Sequence, residues 1–166
     1  ARYLMAVKYN IVSSQSNRPV MSVIQDSLLG AYLLSAPGVT LDRRTMMHCC
    51  MAMPGWDGQL EQKEEYTGCE LISKTLPLVN WSNSRVEILK GKLIRGQLDK
   101  KVLGTSHQSL IHVMYNDCGP DDTLNFIHRL QMVVHTWLTF RGFTIGIGDM
   151  ITDEDTRKTV RKEVAQ

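Results

Sequence analysis

Apolar and polar residues follow helical spacing near both ends of the chain and a strand-like pattern in the middle. Val23/Ile24, Leu28 and Ala31/Tyr32 recur at the spacing of one helix face, which predicts a helix over Val20–Leu34. Pro37-Gly38 closes it. Asp42 is a candidate N-cap for a second helix through Arg43-Arg44-Thr45-Met46-Met47, which stops before Pro54-Gly55, and Trp56-Asp57-Gly58 reads as a turn. The charged run Glu61–Glu65 reads as solvated surface, and Glu70–Thr75 as a short helical or strand segment. Val86–Leu89 and Lys92–Arg95 flank Lys90-Gly91, a β-hairpin pattern in which Gly91 supplies positive φ. Gly96–Val102 extends the second strand in this reading.

The carboxyl third predicts helices. Thr105 or Ser106 caps one that carries Leu110, Ile111, Val113 and Met114 and stops near Asp117–Gly119. Pro120 suits a first helical turn, and Asp121 and Asp122 complement the helix dipole there. Leu124, Ile127, Leu130, Val134, Trp137 and Leu138 continue one apolar face up to Gly142. A glycine-rich link, Phe143–Asp149, leads to a last helix from about Asp153. No internal repeat or low-complexity tract interrupts the pattern. The fold class is α+β, with helices around a small antiparallel hairpin-based sheet.

Composition narrows the function classes. The chain has 166 residues, 43% hydrophobic and 22% charged, with a net charge of +2. That is enough chain for one core and too apolar for disorder. A charge of +2 also argues against binding nucleic acid by bulk electrostatics, while leaving room for a part of a larger nucleic-acid machine. Cys49, Cys50, Cys69 and Cys118 form no CxxC pair, which suits reduced thiols in an intracellular protein. The longest apolar stretches, such as Leu28–Leu34, fall short of the about 20 residues a membrane helix needs. The amino end is too briefly apolar for a signal peptide. A first residue Ala1 and a last residue Gln166 inside a helical pattern lead us to expect a piece of a longer polypeptide.

Candidate chemistry is sparse. His48 adjoins Cys49-Cys50, but neighbouring helical side chains diverge and cannot close around one metal. His128 and His135 could share a helix face without a third ligand at matching spacing. Ser106-His107 lacks an acyl-transfer context, and no GxSxG or HExxH occurs. Gly146-Ile147-Gly148 lacks the strand and third glycine of a dinucleotide loop, so it reads as a helix-to-helix link that permits close backbone approach. Asn80-Trp81-Ser82 is a chance glycosylation sequon. The polar run Ser14–Pro19, followed by Gln25-Asp26, offers donors suited to phosphate, sugar and base edges. The same run also reads as a plain cap and turn.

Four blocks then carry a resemblance. They are Asn10–Met21 (NIVSSQSNRPVM), Ile24–Leu28 (IQDSL), Leu103–Ser106 with Leu110-Ile111-His112, and Trp137-Leu138 with Gly142–Asp149 (GFTIGIGD). In this order they resemble the pore domain of the largest subunit of multisubunit DNA-dependent RNA polymerases of the eukaryotic, archaeal and large-virus type. The family usually has proline at Ser14, lysine at Arg18, glycine at Ser22, glycines at Gln108-Ser109 and asparagine at Arg141. These departures suggest a divergent lineage, a viral one among the options.

The resemblance implies three stretches: residues 1–20 as the tail of the preceding active-site region with its polar loop, 21–149 as the pore domain, and 150–166 as the start of the funnel. It implies a part in DNA-directed transcription, as the wall through which nucleoside triphosphates enter and the RNA 3′ end is extruded. Gln15, Ser16, Asn17 and Arg18 would lie on the active-centre side with Gln25 and Asp26 nearby. Thr144, Gly146, Gly148 and Asp149 would join pore to funnel by packing. The catalytic Asp-rich loop and its Mg2+ belong upstream in the family, so the stretch holds no catalytic residue or metal of its own and would be inactive alone. Implied partners are the other polymerase subunits, template DNA, nascent RNA, nucleoside triphosphates and a transcript-cleavage factor at the funnel, with no membrane. The location would be nuclear in a eukaryote, and cytoplasm or virion in an archaeal or viral system. A free-standing binding or regulatory protein that retains the pore fold is the alternative.

Overall fold

The computed structural model describes residues 2–164; Ala1 and residues 165–166, which fall in the first and last ranges given above, lie outside it. The elements, after a 3₁₀ turn at Val7–Asn10, are β1 (Val12–Ser13), β2 (Arg18–Pro19), α1 (Gln25–Leu34), β3 (Thr40–Asp42), α2 (Arg43–Met51), β4 (Glu65–Thr67) and α3 (Gly68–Ser73). Then come β5 (Trp81–Ser82), β6 (Glu87–Leu89), β7 (Lys92–Arg95), α4 (Lys100–Leu103), α5 (Leu110–Asp117), α6 (Pro120–Arg141), α7 (Ile147–Met150) and α8 (Glu154–Val164).

The central element is α6. Pro120 opens it, Asp121 and Asp122 occupy its first turn, and Gly142 ends it at φ +69, a conformation a side chain resists. Thr123, Phe126, Leu130, Val133, Val134 and Trp137 are its buried face, with Leu124, Ile127 and Leu138 half-buried on the flank. Helices α1, α2 and α5 all pack against it. On α1 the closest approach is at Gly30, where an added Cβ would sit 2.3 Å from Val134 Cγ1. Around this seam Leu34, Met46, Leu71, Ile88, Leu103 and Ile111 are fully buried. The architecture is α+β.

Four expectations change. The sheet is not one but three small antiparallel ladders: β1–β2, β3–β4 and β5–β6–β7. Strands of two or three residues carry no readable period, and only β6–β7 announces itself through its Lys90-Gly91 turn, with φ of +49 and +71. Second, α1 begins at Gln25 rather than Val20. The Val20 N–H donates to Ile11 O at 2.9 Å and the Val23 N–H to Leu103 O at 3.2 Å, so this stretch spends its donors on distant partners. Third, Gly96 ends β7 at φ +96, and the following residues form α4, where Asp99 accepts from the N–H groups of Lys101 (2.9 Å) and Val102 (3.0 Å). Fourth, the residue that opens α5 is Ser109, not Thr105 or Ser106, because Gln108 takes φ +60 and breaks any earlier start.

The charged run before α3 is more than solvated surface. Lys63 Nζ meets both Glu61 (3.0 Å) and Glu70 (2.7 Å). Glu70 also completes a capping box with Thr67. The four cysteines are free thiols, and burial pushes Cys49 up to about 12.

Candidate functional site

The polar run Ser14–Asn17 is the tip of a hairpin. Val12 pairs with Pro19 and Ser13 with Arg18. Ser13 closes the tip twice: its carbonyl accepts the Asn17 N–H at 2.9 Å and its hydroxyl accepts the Gln15 N–H at 3.2 Å. Asn17 takes φ +46, which its short polar side chain tolerates. Gln15, Ser16, Asn17 and Arg18 are all exposed, while the hairpin base is held down by buried Pro19 and fully buried Ile11. The result is a fixed turn that presents amide, hydroxyl and guanidinium donors to its surroundings.

Gln25 and Asp26 open α1 and are exposed. Gln25 sits at φ +49, a left-handed conformation that costs about 1–3 kcal/mol in a non-glycine residue and is held only where neighbours over-determine it. One such restraint lies two residues on, where buried Ser27 Oγ is 2.8 Å from His135 Nε2 on α6. No hydrogen bond or ion pair among the described residues ties this turn to the hairpin tip, so the two share a neighbourhood of sequence rather than a bonded cluster. Sequence reading passed over the Ser27–His135 link; a hydroxyl and an imidazole over a hundred positions apart give no local signal.

Thr144, Gly146, Gly148 and Asp149 lie in a wholly exposed segment. The Asp149 carboxylate accepts the Gly146 N–H at 2.8 Å and shapes the turn into α7. A Cβ added at Gly148 would meet nothing within 4 Å, and neither glycine has positive φ, so neither is required by contacts within the described chain. Trp137 and Leu138, of the same block, pack on the core side.

The loop before α5 keeps a glycine-like backbone without glycine. Gln108, at φ +60, donates its N–H to His112 Nδ1 at 3.1 Å and accepts from Trp81 Nε1 at 3.1 Å through its carbonyl. With Nδ1 as acceptor, His112 carries its proton on Nε2, which is buried without a partner.

No group of three or more His, Cys, Asp or Glu converges among the described residues. None of the described helices is long and apolar enough to cross a membrane.

Two comparisons bear on this arrangement. The family model for RNA polymerase Rpb1, domain 3, matches residues 10–150, a span that takes in the hairpin, all the packed helices and α7. Two relatives from Trypanosoma brucei brucei, DNA-directed RNA polymerase II subunits RPB1-A and RPB1-B, are each 32% identical over 169 residues, covering 92% of this chain. The chain spans about a tenth of the length of these relatives (10%). The match covers the hairpin tip, the Gln25–Asp26 turn and the Gly142–Asp149 segment together, and on it the chain belongs to the family of domain 3 of Rpb1, the largest subunit of RNA polymerase.

Proposed function

We propose that this chain serves DNA-directed RNA synthesis as a pore module of an RNA polymerase largest subunit, an access and positioning element of a nucleotidyltransferase. The observation that carries the reading is the hairpin tip, a turn fixed by Ser13 that holds Gln15, Ser16, Asn17 and Arg18 exposed within the family match. Such a tip suits the edge of a channel that carries triphosphates inward and a displaced RNA 3′ end outward. Arg18 is the strongest candidate for phosphate contact, since its planar fork suits two phosphate oxygens at once. Gln25 and Asp26 would lie near it, and residues 142–149 would hand the chain on to funnel helices from residue 150. Residues up to 20 would continue an active-site region. Metal chemistry, on this reading, belongs to residues outside this chain, and the chain alone would be inactive.

The partners follow from the same reading: other polymerase subunits, template, transcript, nucleoside triphosphates and a cleavage factor at the funnel. In a eukaryote the location is the nucleus; in an archaeal or viral system it is the cytoplasm or virion. The test is elongation by an assembled polymerase. Arg18→Ala slows it more than Arg43→Ala on the exposed start of α2. Equal rates would end the assignment of Arg18, and a native polypeptide of about the mass of this chain, 18.8 kDa, would favour a free-standing binding protein instead.

A further inference from the structure

The turn before α5 is held by side chains that reach it from outside. Ser109 donates its N–H to Ser106 O at 3.1 Å, which closes a four-residue turn with Gln108 in third place at φ +60. Positive φ at that place favours glycine or asparagine, because a longer side chain strains there. Gln108 is exposed, so its own side chain supplies little packing to hold the backbone. Its peptide groups are held instead: His112 Nδ1 accepts its N–H and Trp81 Nε1 donates to its carbonyl, both at 3.1 Å.

We infer that Trp81 and His112 are positioning residues for the Arg18 hairpin, acting through this turn. The turn joins two supports of the segment that runs from Arg18 to Gln25. On one side Leu103 O accepts the Val23 N–H at 3.2 Å, and both residues are buried. On the other, α5 packs against β2, where Pro19 is buried beside Arg18. The upstream end of the turn is pressed onto α4, since a Cβ at Gly104 would sit 2.1 Å from Lys100 O. The conformation of residues 105–108 therefore sets where α5 begins, and with it the seat of β2. The part played in elongation rests on the proposed place of Arg18; the hold on the hairpin does not.

His112 is a costly choice if it serves packing alone. It is 4% exposed, and its Nε2 is buried without a partner. A phenylalanine would fill the space without burying an idle N–H. What the imidazole adds is the Nδ1 acceptor. From the third residue of α5 it reaches back to the residue before the N-cap, much as the acid of a capping box reaches back, while Ser109 at the N-cap makes no side-chain bond. His107 stands edge-on to the ring with centroids 5.0 Å apart and bounds one side of it. Trp81 closes the turn from β5, which Trp81 itself pairs to Ile88 of β6.

The experiment uses the assembled polymerase carrying variants of the full-length subunit. His112→Phe removes the acceptor and keeps a ring. Amide hydrogen exchange across residues 13–23, read by mass spectrometry, then rises about threefold to tenfold, the worth of one hydrogen bond, and exchange in the middle of α6 is unchanged. Elongation slows about twofold or more as the tip loses its seat. Gln108→Gly, silent alone, returns both readouts to within about twofold of the parent enzyme when added to His112→Phe, since glycine holds positive φ unaided. Should His112→Phe fail to assemble, Trp81→Phe is read; it drops only the indole N–H, with about a twofold rise in exchange and the same rescue expected. Unchanged exchange in the hairpin, an equal rise in α6 or no rescue by Gln108→Gly overturns the inference. In an Arg18→Ala background His112→Phe slows elongation no further, and additional slowing there overturns the positioning of Arg18. If Arg18→Ala alone leaves elongation unchanged, the proposed role of the tip falls, while the exchange results still decide the hold on the hairpin.

Discussion

Between Ile11 and Trp137 the chain builds a core from its own residues, with Leu130, Val133 and Phe126 at 0–1% exposure. From Thr139 to Val164 every residue is exposed, including Ile147 at 82% and Val164 at 81%. In the first region each helix is explained by what it packs on. In the second, beyond the Phe140 ring that stands edge-on to His48 of α2 with centroids 5.7 Å apart, order is local: the Asp149–Gly146 contact, and pairs of Arg157 with Glu154 (3.3 Å) and Lys158 with Asp155 (3.6 Å) along α8. Helix α8 has 11 residues, below the ~12–15 at which isolated helices become marginal. Yet the distinctive run Gly142–Asp149 lies in this unpacked arm. Packing within the described body therefore does not account for this run: all its residues are exposed, and a Cβ at Gly148 would meet nothing within 4 Å.

The largest effect that would sharpen this contrast lies in the body. Phe126→Ala removes a ring buried to 1% in the second turn of α6 and costs about 3–5 kcal/mol. Urea unfolding of the chain reads it. A loss under about 1 kcal/mol would mean that the body is not the stable unit described.

Smaller, and aimed at the site, is Ser27→Ala. It removes the 2.8 Å link to His135 and costs about 1 kcal/mol in the same measurement. Because Ser27 sits two residues beyond the strained Gln25, hydrogen exchange at the first turn of α1 also rises, while exchange in the middle of α6 does not. Equal rises in both would make the link a general brace rather than a local restraint.

What the sequence discloses divides along similar lines. Pro120, Asp121, Asp122 and Gly142 mark both ends of α6 because capping is decided within one turn. Lys90-Gly91 marks β6–β7 for the same reason. The start of α1 stayed hidden because the Val23 N–H bonds to Leu103 O, a partner no local window contains. At Gln108 the left-handed backbone persists without glycine because His112 and Trp81 hold both its peptide groups from outside the turn. At the site, residue types were legible in the Ser14–Arg18 run. The hairpin that displays them was not, since its strands have two residues each and their pairing depends on buried Ile11 and Pro19.

The smallest expected effect tests the arm. Ile147→Ala and Ile151→Ala remove side chains exposed by 82% and 60%, so each changes the stability of the chain by no more than about 0.5 kcal/mol. The same two changes in an assembled polymerase are expected to loosen the arm, read as faster protease cleavage between residues 143 and 153 than in the parent enzyme. The pairing of readouts matters. If either variant costs the chain more than about 1 kcal/mol, the arm docks on the body and the contrast between the two regions fails. If stability and cleavage are both unchanged, the apolar residues of the arm meet no surface in the enzyme, and the Gly142–Asp149 run must be explained by backbone geometry alone.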